Sequence, residues 1–323
     1  MQYSGQSAQR WLASTLLTLA GCLMTSSAHA EDVVRLVVPF AAGSYTDNVA
    51  RLVAPGMAKY LKKNVIVENR AGANGIIGAD FVARAKPDGL TLLVGGASVN
   101  TINPSVYKNL PFDPEQDLLP VARIGVLPFM LLTHPGLPIH SVADLIQYAK
   151  DNPDKLAYGT PNTATLVGTE TLKQKAGIKL LSVPYKSSPQ AMTDLAGNQI
   201  QVLIADFATA MPQVKAGKAR LLAVTMKNRS PLLPETPTIS DTVPDFDLSA
   251  WTGLLAPGKT PKDTLLPIYE ALRVTLSDPD LKSRFKSIGF DIAPMGPDEF
   301  GPYIRKEIKQ WDSLARQAGI DPQ

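Results

Sequence analysis

The sequence predicts an α/β protein of two doubly wound sheets joined by long crossing strands, and three observations carry that prediction. Short apolar or β-branched runs alternate with segments of helical periodicity along most of the chain. The alternation pauses after the third strand and then restarts. Two longer runs, 121–133 and 249–256, bracket the second series. Strand–helix alternation implies parallel strands covered on both faces, and a domain inserted through two crossing strands can hinge about them.

In order, 33–40 (VVRLVVPF) reads as a buried strand, and 47–62 as a helix with apolar residues at 49, 50, 52, 53, 57 and 61. Val65-Ile66-Val67 is a strand, 75–85 a helix stopped by Pro87-Asp88-Gly89, and 90–94 a strand. A Pro-rich connector follows. The second series reads as helix 141–152, strand 156–158, helix 166–177, strand 180–183, helix 189–196, strand 201–204, helix 208–216 and strand 220–225. A loop-rich stretch, 228–247, precedes the returning strand, and helical patterns at 261–277, 279–287 and 297–318 finish the chain. The expected domains are a first lobe of 31–125 plus 252–323 and a second lobe of 126–251.

The 323 residues suit two domains, and 45% hydrophobic against 19% charged residues excludes wholesale disorder. With 32 basic and 29 acidic residues intermixed, no basic block offers a footprint for nucleic acid. One Cys and three His argue against a disulfide framework and a clustered metal site. The segment 1–30 carries one charge, Arg10, then an apolar run at 11–24 and Ala28-His29-Ala30, which reads as a cleaved export signal. Leu19-Ala20-Gly21-Cys22 leaves an alternative, a lipoprotein anchored at Cys22. Either route carries the protein out of the cytoplasm, with the periplasm as the expected compartment.

Candidate site residues fall where strands run into helices, because ligands of open α/β sheets bind beyond the carboxyl ends of strands, near free helix N–H groups. The first such loop holds Gly43, Ser44, Tyr45, Thr46 and Asp47. Ser44 and Thr46 can cap the helix or bond an anion, and Gly43 permits close backbone approach. Asp47 would repel a carboxylate, so capping or water orientation is its expected role. A second loop, Gly159 to Thr165, presents Thr160, Asn162, Thr163 and Thr165 as neutral hydrogen-bonding groups. Ser98 and Asn100 end the third strand, and Asp206 follows 202–205. Taken singly these are turn chemistry; together they face one cleft. Gly72, Gly75 and Gly78 are spaced G-x-x-G-x-x-G, which does not match the G-x-G-x-x-G dinucleotide fingerprint, and no cofactor is expected. No G-x-S-x-G or H-E-x-x-H occurs. Lys186, in Pro184-Tyr185-Lys186, reads as a solvated loop lysine rather than a ligand contact.

Several segments together resemble the periplasmic solute-binding receptors of tripartite tricarboxylate transporters, the Bug receptors. They are 38–47 (VPFAAGSYTD) with Val49-Ala50-Arg51, 67–72 (VENRAG) with Gly75 and Gly78, and 86–93 (KPDGLTLL). Pro184-Tyr185-Lys186 and 233–238 (LPETPT) complete the set. The resemblance implies a two-lobed type II periplasmic-binding-protein fold, no catalysis, and delivery of a small carboxylate to integral membrane subunits. It also implies a monomer. It places the family's first carboxylate-binding loop on Gly43 to Asp47 and its third-strand loop on Ser98 and Asn100. Its second-lobe hydroxyl loop falls on Thr160 to Thr165 and its strand-end acid on Asp206. The chain departs from the family where a Gly-Gly pair gives way to Gly43-Ser44 and a small residue to Tyr45, whose ring could stack on an aromatic carboxylate. The readings left open are an exported α/β hydrolase using Asp47 or Asp206 as a base, and a sensory receptor built on the same site.

Overall fold

A computed structural model describes residues 33–230 and 232–322. The export signal read in 1–30 and the lipid anchor at Cys22 lie outside the described residues. In the first sheet β1 (Val33–Val38) pairs in parallel with β2 (Asn64–Asn69) and β3 (Thr91–Gly96). Helix α1 (Tyr45–Leu61) leads from β1 to β2, and α2 (Ile76–Ala83) leads from β2 to β3. After β3 the chain makes a π turn, Ser98–Ile102, and the single-turn α3 (Asn103–Val106). Sequence periodicity read this segment as connector, because Asn103-Pro104 inside a polar run carries no helical stripe.

The crossing strand β4 (Leu118–Thr133) decides the architecture. Its first part pairs antiparallel with β9 (Ser249–Pro257), from Leu118↔Pro257 to Pro128↔Ser249. From Phe129 onward it pairs antiparallel with β7 (Val202–Asp206) and β8 (Arg220–Val224). One strand therefore belongs to both sheets and changes partners near residue 128. Almost all of it is buried, as its near-continuous Val, Leu, Ile and Phe content requires; each such side chain contributes roughly 1.5–3 kcal/mol on burial.

In the second sheet α4 (Val142–Asp151) precedes β5 (Ala157–Thr160), and α5 (Thr163–Ala176) leads to β6 (Leu181–Pro184). Helix α6 (Ser188–Ala196) leads to β7, and α7 (Phe207–Lys215) leads to β8. β5 lies parallel to both β6 and β7. The continuous order across both sheets is β2-β1-β3-β9-β4-β7-β5-β6.

The chain ends with α8 (Lys262–Ser277), α9 (Pro279–Ser287), β10 (Asp291–Met295) and α10 (Pro297–Gln317). β10 pairs with β4 near Arg123–Val126. It escapes sequence reading because a five-residue run containing Pro294 is a poor strand, tolerated here at an edge. Gly289, between α9 and β10, has φ +73°, and a Cβ there would lie 2.0 Å from Phe207 Cγ. Only glycine satisfies both constraints, and this contact brings the end of α9 against the start of α7.

Candidate functional site

Four helices of the two lobes begin at one cleft, each following the carboxyl end of a strand. At α1 the N-cap is Ser44, whose Oγ accepts from the Asp47 N–H at 3.3 Å. Gly43, at φ +78°, donates its N–H to Asp47 Oδ2 at 2.9 Å. At α5 the cap is Asn162, accepting from the Thr165 N–H at 3.0 Å. At α7 it is Asp206, accepting from the N–H and the hydroxyl of Thr209, each at 2.9 Å. At α6 the cap is Ser187, which makes no capping bond and is followed by Pro189. All four caps line the cleft. Each helix carries about half a positive charge at this end, so the shared space is electropositive before any side chain is counted.

The cleft has a volume of about 70 Å³, room for roughly two waters at about 30 Å³ each, a small space between closely apposed walls. Leu127 and Phe129 line it where β4 changes partners, with Ala250, Trp251 and Thr252 from β9. Phe40, Ala41, Gly96 and Ala97 line it from the first lobe, and Pro161, Lys186 and Ser188 from the second. Lys186 and Asp206 are the charged residues among the lining groups. Three hydrogen bonds join its two sides. Ser98 Oγ donates to Asn162 Oδ1 at 3.5 Å, and the Thr163 hydroxyl lies 2.9 Å from Asn103 Oδ1 and 3.3 Å from the Ser98 carbonyl.

Of the residues singled out in the sequence, Ser44, Tyr45, Thr46, Ser98, Asn162 and Asp206 form the cleft wall. Gly43, Asp47, Asn100, Thr160, Thr163 and Thr165 stand behind it. Asp47 is buried and held by Arg51 Nε at 2.9 Å and Asn69 Nδ2 at 2.9 Å, besides Gly43. Asn100 accepts from the Gly96 N–H at 3.1 Å. The Thr160 hydroxyl donates to the Val183 carbonyl at 3.3 Å, and that of Thr165 to the Asn162 carbonyl at 2.9 Å. Sequence reasoning did not select Ser187 and Ser188, although Ser-Ser-Pro is a legible helix start. It also set aside Lys186, and it had no signal for the aromatic wall of Phe40, Phe129 and Trp251.

Titration behaviour follows the surroundings. Burial pushes the Asp206 carboxyl up, against the lowering pull of the Thr209 hydrogen bonds. Burial also drives the Tyr45 phenol well above its ordinary value; the Asp206 charge adds to this, and the Thr252 side chain opposes it. Thr252 is close but outside hydrogen-bonding geometry, so the Tyr45 hydroxyl is buried without a partner, as is the Trp251 indole N–H. The Tyr45 ring packs on Phe290, with centroids 5.5 Å apart, and the residue is only 7% exposed. Little of its face is open to a ligand. For Asp47 burial alone would raise the carboxyl, but bonds from Arg51, Gly43 and Asn69 outweigh it and hold the group below the usual range. Among the described residues no three His, Cys, Asp or Glu side chains gather as metal ligands, and no helix is long and apolar enough to cross a membrane.

Two lobes, a crossing strand shared by both sheets and helix N-termini facing an interlobe cleft define a solute-binding protein of the periplasmic type. Residues 49–320 match the tripartite tricarboxylate transporter family receptor, and the chain belongs to that family. A UPF0065 protein of Bordetella bronchiseptica is 35% identical over 314 residues, covering 96% of this chain and 93% of the relative. Among solved structures, R. palustris Rpa4515 with adipate superposes with a TM-score of 0.85 at 33% identity, covering 90% of this chain and 98% of that one. MatC (Rpa3494) from Rhodopseudomonas palustris with bound malate gives 0.82 at 28% identity, covering 87% and 98%.

Proposed function

We propose that this receptor is exported to the periplasm, captures a small carboxylate between its lobes and hands it to the integral membrane subunits of a tripartite transporter, without chemistry. The observation that carries the reading is the convergence of the N-termini of α1, α5, α6 and α7 on one small cleft. Free N–H groups and aligned dipoles favour an anion without a buried arginine. The uncapped start of α6, with Ser187, Ser188 and Lys186, supplies the remaining donors. The adipate and malate held by the two relatives are small carboxylates.

In this reading Ser44, Thr46, Ser98 and Asn162 contact the ligand. Tyr45 and Asp206 shape the inner wall, and Gly43, Asp47, Asn100, Thr160, Thr163 and Thr165 hold the loops that present the donors. The lobes, 31–125 plus 252–323 and 126–251, hinge where β4 and β9 cross. No nucleophile–base–orienter set lines the cleft among the described residues, which supports binding over hydrolysis.

A thermal-shift screen over aliphatic and aromatic carboxylates tests the reading: a ligand at 100 times its Kd adds about 2.7 kcal/mol. Trp251 in the wall reports the same event. In a W311F protein the emission of Trp251 shifts with ligand, whereas that of Trp311 in a W251F protein stays nearly constant. A panel that leaves both Tm and Trp251 emission unmoved would sink the reading.

A further inference from the structure

A second, larger concavity of about 640 Å³ lies outside the ligand cleft, walled by α1 and α9 of the first lobe and α7 of the second. Its floor is apolar, with Leu52, Phe207 and Met211, and its rim carries Arg51, Lys215 and Arg284. Among the described residues no acidic side chain lines it. Arg51 is spoken for by Asp47 and Asn69. Lys215 and Arg284 form no ion pair or side-chain hydrogen bond among the described residues and are exposed. Their two charges therefore face the groove uncompensated, one from each lobe.

The groove is tied to the cleft through its walls. Helices α1 and α7 offer their N-termini to the cleft and their following residues to the groove, and Asp206 of the cleft precedes Phe207 of the groove floor. Phe207 packs on Gly289 of the first lobe. Because the walls come from both lobes, a rotation of one lobe against the other would change the spacing of Lys215 and Arg284 and the seat of Phe207 on Gly289.

We infer that this groove is a docking site for an acidic, amphipathic segment of a protein partner, and that docking reads the closed state. A concave groove with cations on its rim suits an inserted side-chain ridge, whereas a flat lipid headgroup layer would not reach the apolar floor. An acidic segment bridging Lys215 and Arg284 favours closure, and by linkage whatever closes the lobes strengthens docking by the same factor. The proposal rests on the receptor reading only for the identity of the partner, a membrane subunit.

The test needs no cleft ligand, so its outcome is separate from that of the carboxylate screen. In a C22S background, Ser98→Cys and Asn162→Cys, whose parent side chains meet at 3.5 Å, are joined by a short thiol cross-linker to hold the lobes closed. Fluorescent poly-L-glutamate is the probe, and its binding is followed by anisotropy. The cross-linked protein is expected to bind at least about fivefold tighter than the uncross-linked protein, and added salt should weaken both. K215E/R284E should remove that difference and cost at least about tenfold, while K309E, at an exposed position of α10 outside the groove, should cost less than about twofold. Circular dichroism and recovery of the cross-link confirm that each variant is folded. Equal binding by the two forms, an equal loss in K309E, or equal retention on phosphatidylserine vesicles by wild type and K215E/R284E alongside unchanged poly-L-glutamate binding would each overturn the proposal.

Discussion

Asp47 and Asp206 make a controlled comparison inside one molecule. Both sit at the start of a helix that begins at the cleft, both are nearly inaccessible to solvent, and both accept backbone N–H bonds. Their carboxyls are nevertheless driven in opposite directions, Asp47 downward and Asp206 upward. The helix dipole is shared, but Asp206 lies deeper than Asp47, so burial pushes its carboxyl up more strongly. Bonds do the rest: Arg51 Nε, one turn along α1, meets Asp47 at 2.9 Å beside Gly43 and Asn69, while no cation answers Asp206, whose side-chain partner is Thr209. A buried acid at a helix start is thus a structural anchor when a cation answers it, and an electrostatic strain facing the ligand when none does.

The largest expected effect breaks the anchored member. Asp47→Ala strips partners from Arg51, Asn69 and the Gly43 N–H together, and should cost about 2–4 kcal/mol in urea denaturation. A loss below about 0.5 kcal/mol would show that the network is not an anchor. Asp206→Asn is the counterpart. Asn caps a helix as well as Asp does, so stability at pH 7 should stay within about 1 kcal/mol or rise, and a carboxylate should bind more tightly. A tenfold weakening instead would mark Asp206 as a direct ligand contact.

The pair should also separate by pH. Asp47 titrates lower in the folded state than in the unfolded state, so its contribution is present above the unfolded value and fades as pH falls through the folded one. Asp206 titrates higher when folded, so stability falls as pH rises from its unfolded toward its folded value. Denaturation of Asp47→Asn and Asp206→Asn from about pH 3 to 7 should therefore change the slope of stability against pH in opposite senses.

Two smaller effects sharpen the comparison at the closure contacts. Thr163→Val removes the hydroxyl shared with Asn103 and the Ser98 carbonyl, and should cost about 1 kcal/mol together with a severalfold loss of affinity through weaker closure. Tyr45→Phe removes a buried hydroxyl with no partner, and should leave stability unchanged or raise it by up to about 1 kcal/mol. A clear loss in Tyr45→Phe would mean that the hydroxyl is bonded to Asp206 or Thr252 in solution.

Much of the scaffold is legible in the sequence because parallel strands and amphipathic helices leave strong periodic marks. The strands 33–38 and 202–206, the crossing strands and the three C-terminal helices all announce themselves. Elements built on backbone geometry do not: the π turn at Ser98–Ile102 and the edge strand Asp291–Met295 carry no apolar period. The site is legible by type but not by direction. Hydroxyls and amides after strands mark loops that reach the cleft, yet nothing local distinguishes Asn162, which faces the cleft, from Thr165, which bonds back to it. Asp47 and Asp206 do differ in sequence, since Arg51 stands four residues after Asp47 and Ala210 four after Asp206, a signal that the reading of the loops did not use. Trp251 and Phe129 reach the wall only through the partner change in β4, a long-range event.

The central claim is that the converging helix starts select a negative charge, and a paired calorimetric titration tests it most directly. Adipate, malate and a set of aromatic carboxylates are each titrated beside the corresponding neutral amide. The account predicts that at least one acid binds and that its amide, isosteric but uncharged, binds at least about a hundredfold more weakly, near 2.7 kcal/mol. Equal binding by an acid and its amide, or binding by amides alone, would contradict it.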